Sequence, residues 1–400
     1  MDRVFLFLRK RVYMLAKTSL ILFLFFIGLG LRAQYAGLNQ PEIRRLKGLI
    51  GDDERVKALY ASWQQLADQA LTEDPHPIDT IRTEGLLQGN PKKTATAFAL
   101  KDMRKMYALA LVYRVSGDKG YLRRLTVYLG AWAGANHPKG DPIDDTNLDP
   151  VIGAYDMVKQ DLADAEGAAN AAAGVAGAGA GAAGVGAAVR QWLLETAETE
   201  LSAPYNYPGR ATSYNNWHSH RLKIVGEIAF AIGDTALEGY TIRGIQEQIA
   251  KNLNADGSSS DFVSRDALHY HVYDLEPLLT LAIVLQRATG VDYYTYVSPA
   301  GTSIKKSVDW LLPYLNGEKT HAEFVNSTVE FDRQRARNGE AAYKAGTLFD
   351  PKNGIATLLL AAHFDAGLLP LARQLSGTED RYPAWQAVVN ELMSDGKRGR

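Results

Sequence analysis

Two short segments concentrate the groups able to move protons and hold anions. The first reads Asn215-Asn216-Trp217-His218-Ser219-His220-Arg221, and the second Arg265-Asp266-Ala267-Leu268-His269-Tyr270-His271-Val272-Tyr273. Asn215 and its neighbours open an apolar helical run, and a helix start offers free backbone N–H groups and a positive dipole end to a carboxylate. Residues four apart share a helix face, which pairs Asn216 with His220 and leaves His218 on another side; in the second segment it pairs Asp266 with Tyr270 and His269 with Tyr273. The pairs His218/His220 and His269/His271 raise zinc as an alternative. In-helix metal pairs use spacings of three or four, which neither has, so no metal and no other cofactor is expected.

Neutral amides, imidazoles, a phenol and a guanidinium suit elimination across a uronic acid. Its C5 proton is barely acidic until the adjacent carboxylate is neutralised by hydrogen bonds or positive charge, which stabilises the developing enolate. A base then removes the proton and an acid protonates the departing O4. Tyrosine fills either role once a nearby Arg lowers its pKa from about 10. Two alternatives stay open on the residues alone. A glycoside hydrolase needs two carboxylates roughly 5 to 10 Å apart, and Asp261, Asp266 and Glu276 have no acidic partner in the first segment. A non-catalytic polysaccharide-binding protein would keep the cleft without the chemistry.

Both segments resemble the alginate lyase superfamily of polysaccharide lyases, the second through its continuation Asp274-Leu275-Glu276-Pro277-Leu278. So does residues 141–150, from Asp141 through Asp144, Asp145, Thr146 and Asn147, leading into Ala154-Tyr155-Asp156. The resemblance spans roughly residues 80–350 and implies an incomplete α/α toroid with metal-free β-elimination of polyuronates. It implies Asn216 as the carboxylate-neutralising amide, Tyr270 as acid and base, and Arg265 as the group that tunes Tyr270 or grips the uronate. The family pattern Asn-Asn-His carries Trp217 at its third position here, so His220 is assigned as neutraliser or base and His218 stands second. Trp217, Arg221, Asn215, His271, Asn147 and Arg333 are the candidate substrate contacts, with Arg335 beside Arg333. The altered motif leaves the substrate open between alginate and glucuronan. If proton and leaving oxygen lie on the same side, one tyrosine serves both; an anti geometry needs His as base.

The elements that must position these groups are helices. Residues 56–71, 96–115 and 121–132 show helical spacing. Ser116-Gly117-Asp118 closes one helix and caps the next; Gly233-Asp234 repeats the device, and Gly290-Val291-Asp292 does so loosely. Strand-like alternation is nearly absent, so the expected fold is all-α, helical hairpins in series forming an incomplete toroid. The Glu276-Pro277 pair is expected to interrupt the second helix. Residues 163–188, almost entirely Ala and Gly, read as an insertion between helices, because so many glycines weaken a helix by roughly 1 kcal/mol each. The loop over residues 74–93 could close over a ligand or simply connect.

Residues 1–33 have the basic start, short apolar run and small-residue end of a secretory signal peptide. Residues 34–393 are then a single lyase domain and 394–400 a tail. The full chain has 44 Lys+Arg against 45 Asp+Glu, and cleavage after Ala33 removes six bases and Asp2, leaving 38 against 44. A net acidic mature chain lacks the basic footprint of a nucleic-acid binder, so the expected partner is an anionic polysaccharide held by local residues. A periplasmic or secreted location, with no membrane span after cleavage, follows. With no cysteine, disulfides and thiolate chemistry are excluded.

Overall fold

The computed structural model describes residues 33–173, 184–378 and 381–394. The expected signal peptide, the centre of the Ala/Gly-rich segment and most of the tail lie outside them. Among the described residues, the one sheet is a two-residue antiparallel pair, β1 (Ala322–Glu323) with β2 (Thr347–Leu348). The rest is helix and connection. The order is α1 (Gln40–Asp52), α2 (Glu54–Thr72), α3 (Pro91–Ala99), α4 (Lys101–Ser116), α5 (Lys119–Ala135), α6 (Pro142–Asp145), α7 (Asp149–Ala173) and α8 (Val185–Ser202). Then follow α9 (Asn216–Ile232), α10 (Thr235–Asn252), α11 (Ser260–Arg265), α12 (Leu268–Thr289), α13 (Ile304–Leu315), α14 (Glu330–Arg337), α15 (Ile355–Ala361), α16 (Leu369–Ser376) and α17 (Trp385–Met393).

The punctuation works as its chemistry demands. Gly117 (φ 79°) ends α4 in the left-handed region and the Asp118 carboxylate caps α5; Gly233 (φ 70°) and Asp234 do the same between α9 and α10. Gly290 (φ 75°) also ends α12, but Asp292 caps only a turn through the N–H groups of Tyr294 and Thr295, and α13 waits until Ile304.

Three expectations need correction. The run 96–115 is two helices that break at Leu100. Pro277 does not interrupt α12, which continues through it to Thr289. Helix also claims both ends of the Ala/Gly-rich segment, since α7 runs to Ala173 and α8 begins at Val185. Alanine's helix preference outweighs the scattered glycines there.

The helices form an incomplete α/α toroid. Helices α4, α7, α9, α12 and α15 pack in succession around the inside, and α2, α5, α8, α10 and α13 back onto them. Instead of a further hairpin, α17 packs on α1 and α15 to continue the ring. Every residue of α9 from Ser219 to Ile232 is buried, so its His220, Arg221, Lys223 and Glu227 side chains must find partners inside the protein. Gly226 lets α9 approach its neighbours closely: a Cβ there would meet Leu281 Cδ1 at 2.5 Å and Thr241 Cγ2 at 2.7 Å. We expect Gly226→Ala to destabilise the fold by about 1–3 kcal/mol in urea titrations despite alanine's better helix propensity, because β-branched Thr241 cannot swing away.

The loop over residues 74–93 is anchored on both sides. Asp144 accepts hydrogen bonds from the backbone N–H groups of Thr83 (2.6 Å) and Glu84 (2.9 Å). Further along, Gln88 N–H donates to Glu340 (3.0 Å) and its carbonyl accepts from Asn338 (3.1 Å), joining residues about 250 apart in sequence. The first described residues are fixed too: Tyr35, Ala36 and Gly37 all donate their backbone N–H to one Asp156 oxygen at 2.8–2.9 Å.

Candidate active site

Asn215 caps α9 by accepting from Trp217 N–H at 3.1 Å. The next residue, Asn216, is 2% exposed, and both its backbone N–H (2.7 Å) and its side-chain Nδ2 (2.5 Å) donate to the Asp261 carboxylate on α11. That clamp fixes the amide plane and uses one of its two N–H bonds. Burial raises Asp261 to about 6, while Arg265 and the Asn216 donors pull the other way. Asp266 then adopts a left-handed conformation (φ 51°) that ends α11 and redirects the chain into α12. Its carboxylate accepts from Asn326 N–H (2.8 Å), which holds this strained corner in place.

The corner stacks Arg265 on Tyr270, with the guanidinium carbon 3.8 Å from the ring centroid. A second guanidinium reaches the phenol from α14: Arg335 Nη1 donates to the Tyr270 hydroxyl at 2.7 Å. The hydroxyl lies 3.5 Å from Asp332 Oδ1, the same oxygen that takes Arg265 Nη1 at 2.5 Å. Arg335 is itself packed between the Phe331 and Tyr343 rings (4.3 and 4.6 Å) and lies 3.8 Å from Glu84. Burial pushes the Tyr270 phenol above its ordinary value, and Arg265 and Arg335 oppose that rise.

On the neighbouring turn of α12, the Tyr273 ring lies 6.4 Å from Tyr270 and 4.4 Å from the His220 imidazole. His220 is 4% exposed; its Nδ1 is 2.8 Å from the Thr146 hydroxyl, which also accepts from Lys223 Nζ at 2.6 Å. Burial and the Lys223 charge hold this imidazole well below its ordinary range, so it is neutral at physiological pH. His220 is therefore a buried neighbour of the Tyr273 ring.

The family model of alginate lyases matches residues 50–321, about two thirds of the sequence. The chain belongs to the alginate lyase family. It is therefore a polysaccharide lyase, which sets aside the hydrolase and the binding-only alternatives. No curated protein matches it in sequence. An alginate lyase from Bacteroides ovatus shares its fold, with 17% identity, a TM-score of 0.60 and coverage of 87% of this chain and 97% of that one. Alginate lyase A1-III from Sphingomonas species A1 is 20% identical over 72% of this chain and 80% of its own, with a TM-score of 0.47.

Several side chains chosen from the sequence are built into the scaffold of this alginate lyase family member. Arg221 is fully buried and pairs with Glu200 (3.2 Å), also donating to Asn206 Oδ1 and the Thr212 carbonyl, so it has no face towards a ligand. His271 is fully buried against Trp310 (ring centroids 4.9 Å), with Nε2 3.1 Å from the Ser307 carbonyl, and burial pushes it down to about 4. Asn147 spends its Nδ2 on the carbonyls of Asp144 (2.8 Å) and Ile143. Arg333 is exposed and bonded to Glu330 (2.7 Å) and the Ser327 carbonyl (2.9 Å). His218 is half-buried with Nδ1 3.3 Å from Arg221 Nη1, and burial and that charge push it down to about 3. Trp217 is half-buried with its ring 4.9 Å from Tyr205.

The His269 ring lies 5.2 Å from that of Tyr270, so the imidazoles of the two His-x-His pairs turn to separate neighbours. Among the described residues, no group of three or more His, Cys, Asp or Glu side chains converges as metal ligands would, and no helix is long and apolar enough to cross a membrane. Sequence reading assigned Arg335 only as a partner of Arg333, named Thr146 only within the 141–150 stretch, and gave no role to Asp332 or Lys223. The Asp332/Arg335 spacing of three was the available signal, because it puts acid and base on one face of α14.

Proposed function

We propose that the enzyme depolymerises a uronate-containing polysaccharide, alginate or glucuronan, by β-elimination that leaves a 4,5-unsaturated sugar. The observation that carries this is the Tyr270 phenol held between two guanidiniums, one on its ring face and one on its oxygen. Arg265 and Arg335 favour a polyanion in a chain that is acidic as a whole, and both stabilise the phenolate that forms when Tyr270 is the base. In this scheme the free N–H of the Asn216 amide, oriented by Asp261, hydrogen-bonds the uronate carboxylate. Tyr270 takes the C5 proton and returns a proton to O4 as the C4–O4 bond breaks, which fits a syn arrangement. Trp217 and Asn215 are the candidate contacts for neighbouring sugars at the start of α9.

Mannuronan, guluronan and glucuronan, assayed side by side, test the proposal. At least one is expected to give absorbance near 235 nm; new reducing ends without that absorbance on all three would overturn it. EDTA is expected to leave the rate unchanged, and inhibition reversed by added zinc would bring the His-x-His pairs back as ligands.

We also assign residues 1–33 as an export signal, residues 34–393 as one lyase domain and a periplasmic or secreted location. Tyr35, Ala36 and Gly37 are anchored on Asp156, so cleavage after Ala33 would leave that anchor intact. The exported protein should give Gln34 as its first residue on N-terminal sequencing.

A further inference from the structure

We propose that Thr146 and Lys223 are positioning residues that lock His220 as its neutral Nε2–H tautomer beside Tyr273, leaving proton abstraction to a phenol. The argument is a count of protons. An ammonium group only donates, and Lys223 Nζ lies 2.6 Å from Thr146 Oγ1 and 2.5 Å from Asp149 Oδ2. The Thr146 oxygen therefore accepts from Lys223. Giving its single proton to its remaining protein partner, His220 Nδ1 at 2.8 Å, pairs every group, whereas an Nδ1–H would leave the hydroxyl proton without a protein acceptor; in the favoured arrangement Nδ1 presents a lone pair. A neutral imidazole with a bare Nδ1 carries its hydrogen on Nε2.

The turn of α12 beside the ring is compatible with that assignment. Helix α12 passes through Pro277, which has no N–H to give the carbonyl four residues earlier, that of Tyr273, and so leaves a spare acceptor near His220. Nε2 is enclosed, with no protein partner of hydrogen-bond geometry, and the assignment rests on the Thr146 contact.

The lone pair needed for a base is consequently tied up on Nδ1 by the Thr146 hydroxyl. Resting on the β-elimination proposed above, this choice removes His220 from the candidates for the base and assigns it to holding Tyr273. The Lys223 charge disfavours a second proton on the ring, so the donor stays neutral.

Long-range proton–nitrogen NMR of the enzyme labelled with 15N-histidine tests the lock directly, with His220→Gln identifying the signal. The expected result is a protonated Nε2 and a bare Nδ1 for His220, unchanged between pH 5 and pH 9. A protonated Nδ1, or an imidazolium at pH 7, would overturn the inference. In Thr146→Val we expect a mixed or reversed tautomer together with a fall in kcat of roughly ten- to a hundredfold and little change in KM, as for a slightly misplaced site. Thr146→Ser should restore both. An unaltered tautomer in Thr146→Val would also sink the idea, and if that variant fails to fold the wild-type spectrum alone decides. Failure of the elimination proposal is seen separately, as missing absorbance near 235 nm while the spectrum still reports the tautomer.

Discussion

Replacing Tyr270 with Phe is expected to lower kcat by about a thousandfold or more on whichever polyuronate proves best, with the fold intact. One residue taking the C5 proton and supplying the O4 proton fills two acid–base roles, each worth roughly 10² to 10⁴ in rate. Phenylalanine keeps the ring under Arg265 and against Phe324 (6.2 Å) and Tyr273 (6.4 Å), so only the hydroxyl is lost. Arg335 loses one acceptor but keeps its aromatic packing and its approach to Glu84. The stability change should stay within about 1–3 kcal/mol, the usual result of leaving one buried donor unpaired. Circular dichroism and a thermal melt alongside the 235 nm assay separate the two effects. If the variant keeps most of its turnover, the role passes to Tyr273, the neighbouring phenol on the His220 side.

The second large effect is expected from Arg335→Met, at about a hundredfold in kcat. The sign of its pH dependence is definite. Burial raises the Tyr270 pKa and the two guanidiniums lower it, so removing one raises the phenol further. The limb of the pH–rate profile on which the base loses its proton should then move to higher pH. Asp332 keeps Arg265 at 2.5 Å, so the variant leaves no unpaired buried carboxylate and should fold. Arg333→Met is the control. Only two residues away but exposed on the solvent side of α14, it should change kcat less than twofold; equal losses in the two variants would remove the special role given to Arg335.

Much of this architecture was legible in the chain because helices announce themselves locally. The apolar period and the Gly-Asp punctuation at 117–118 and 233–234 depend on a few adjacent residues, and the structure follows them. What failed depended on facing. Arg221 and His271 sit one residue from side chains that do reach the site region, yet the turn of a helix sends them into the core, and no local pattern says how far a helix is rotated. Arg335 was obscured for another reason: Glu330, Asp332, Arg333, Arg335 and Arg337 together look like a solvated face, and only the tertiary fold reveals that Arg335 meets a phenol 65 residues away. Pro277 misled because a proline within a helix normally costs about 3 kcal/mol. Here the helix tolerates it and runs on to Thr289.

Arg335, Asp332 and Tyr343 all lie beyond residue 321, where the stretch shared with the family ends, whereas Tyr270 lies inside it. The phenol and the guanidinium on its oxygen therefore come from different parts of the chain, and the hold on Tyr270 depends on how the segment after residue 321 seats against α12. A protein ending at residue 321 would keep Arg265 on the ring face and lose the cation on the oxygen.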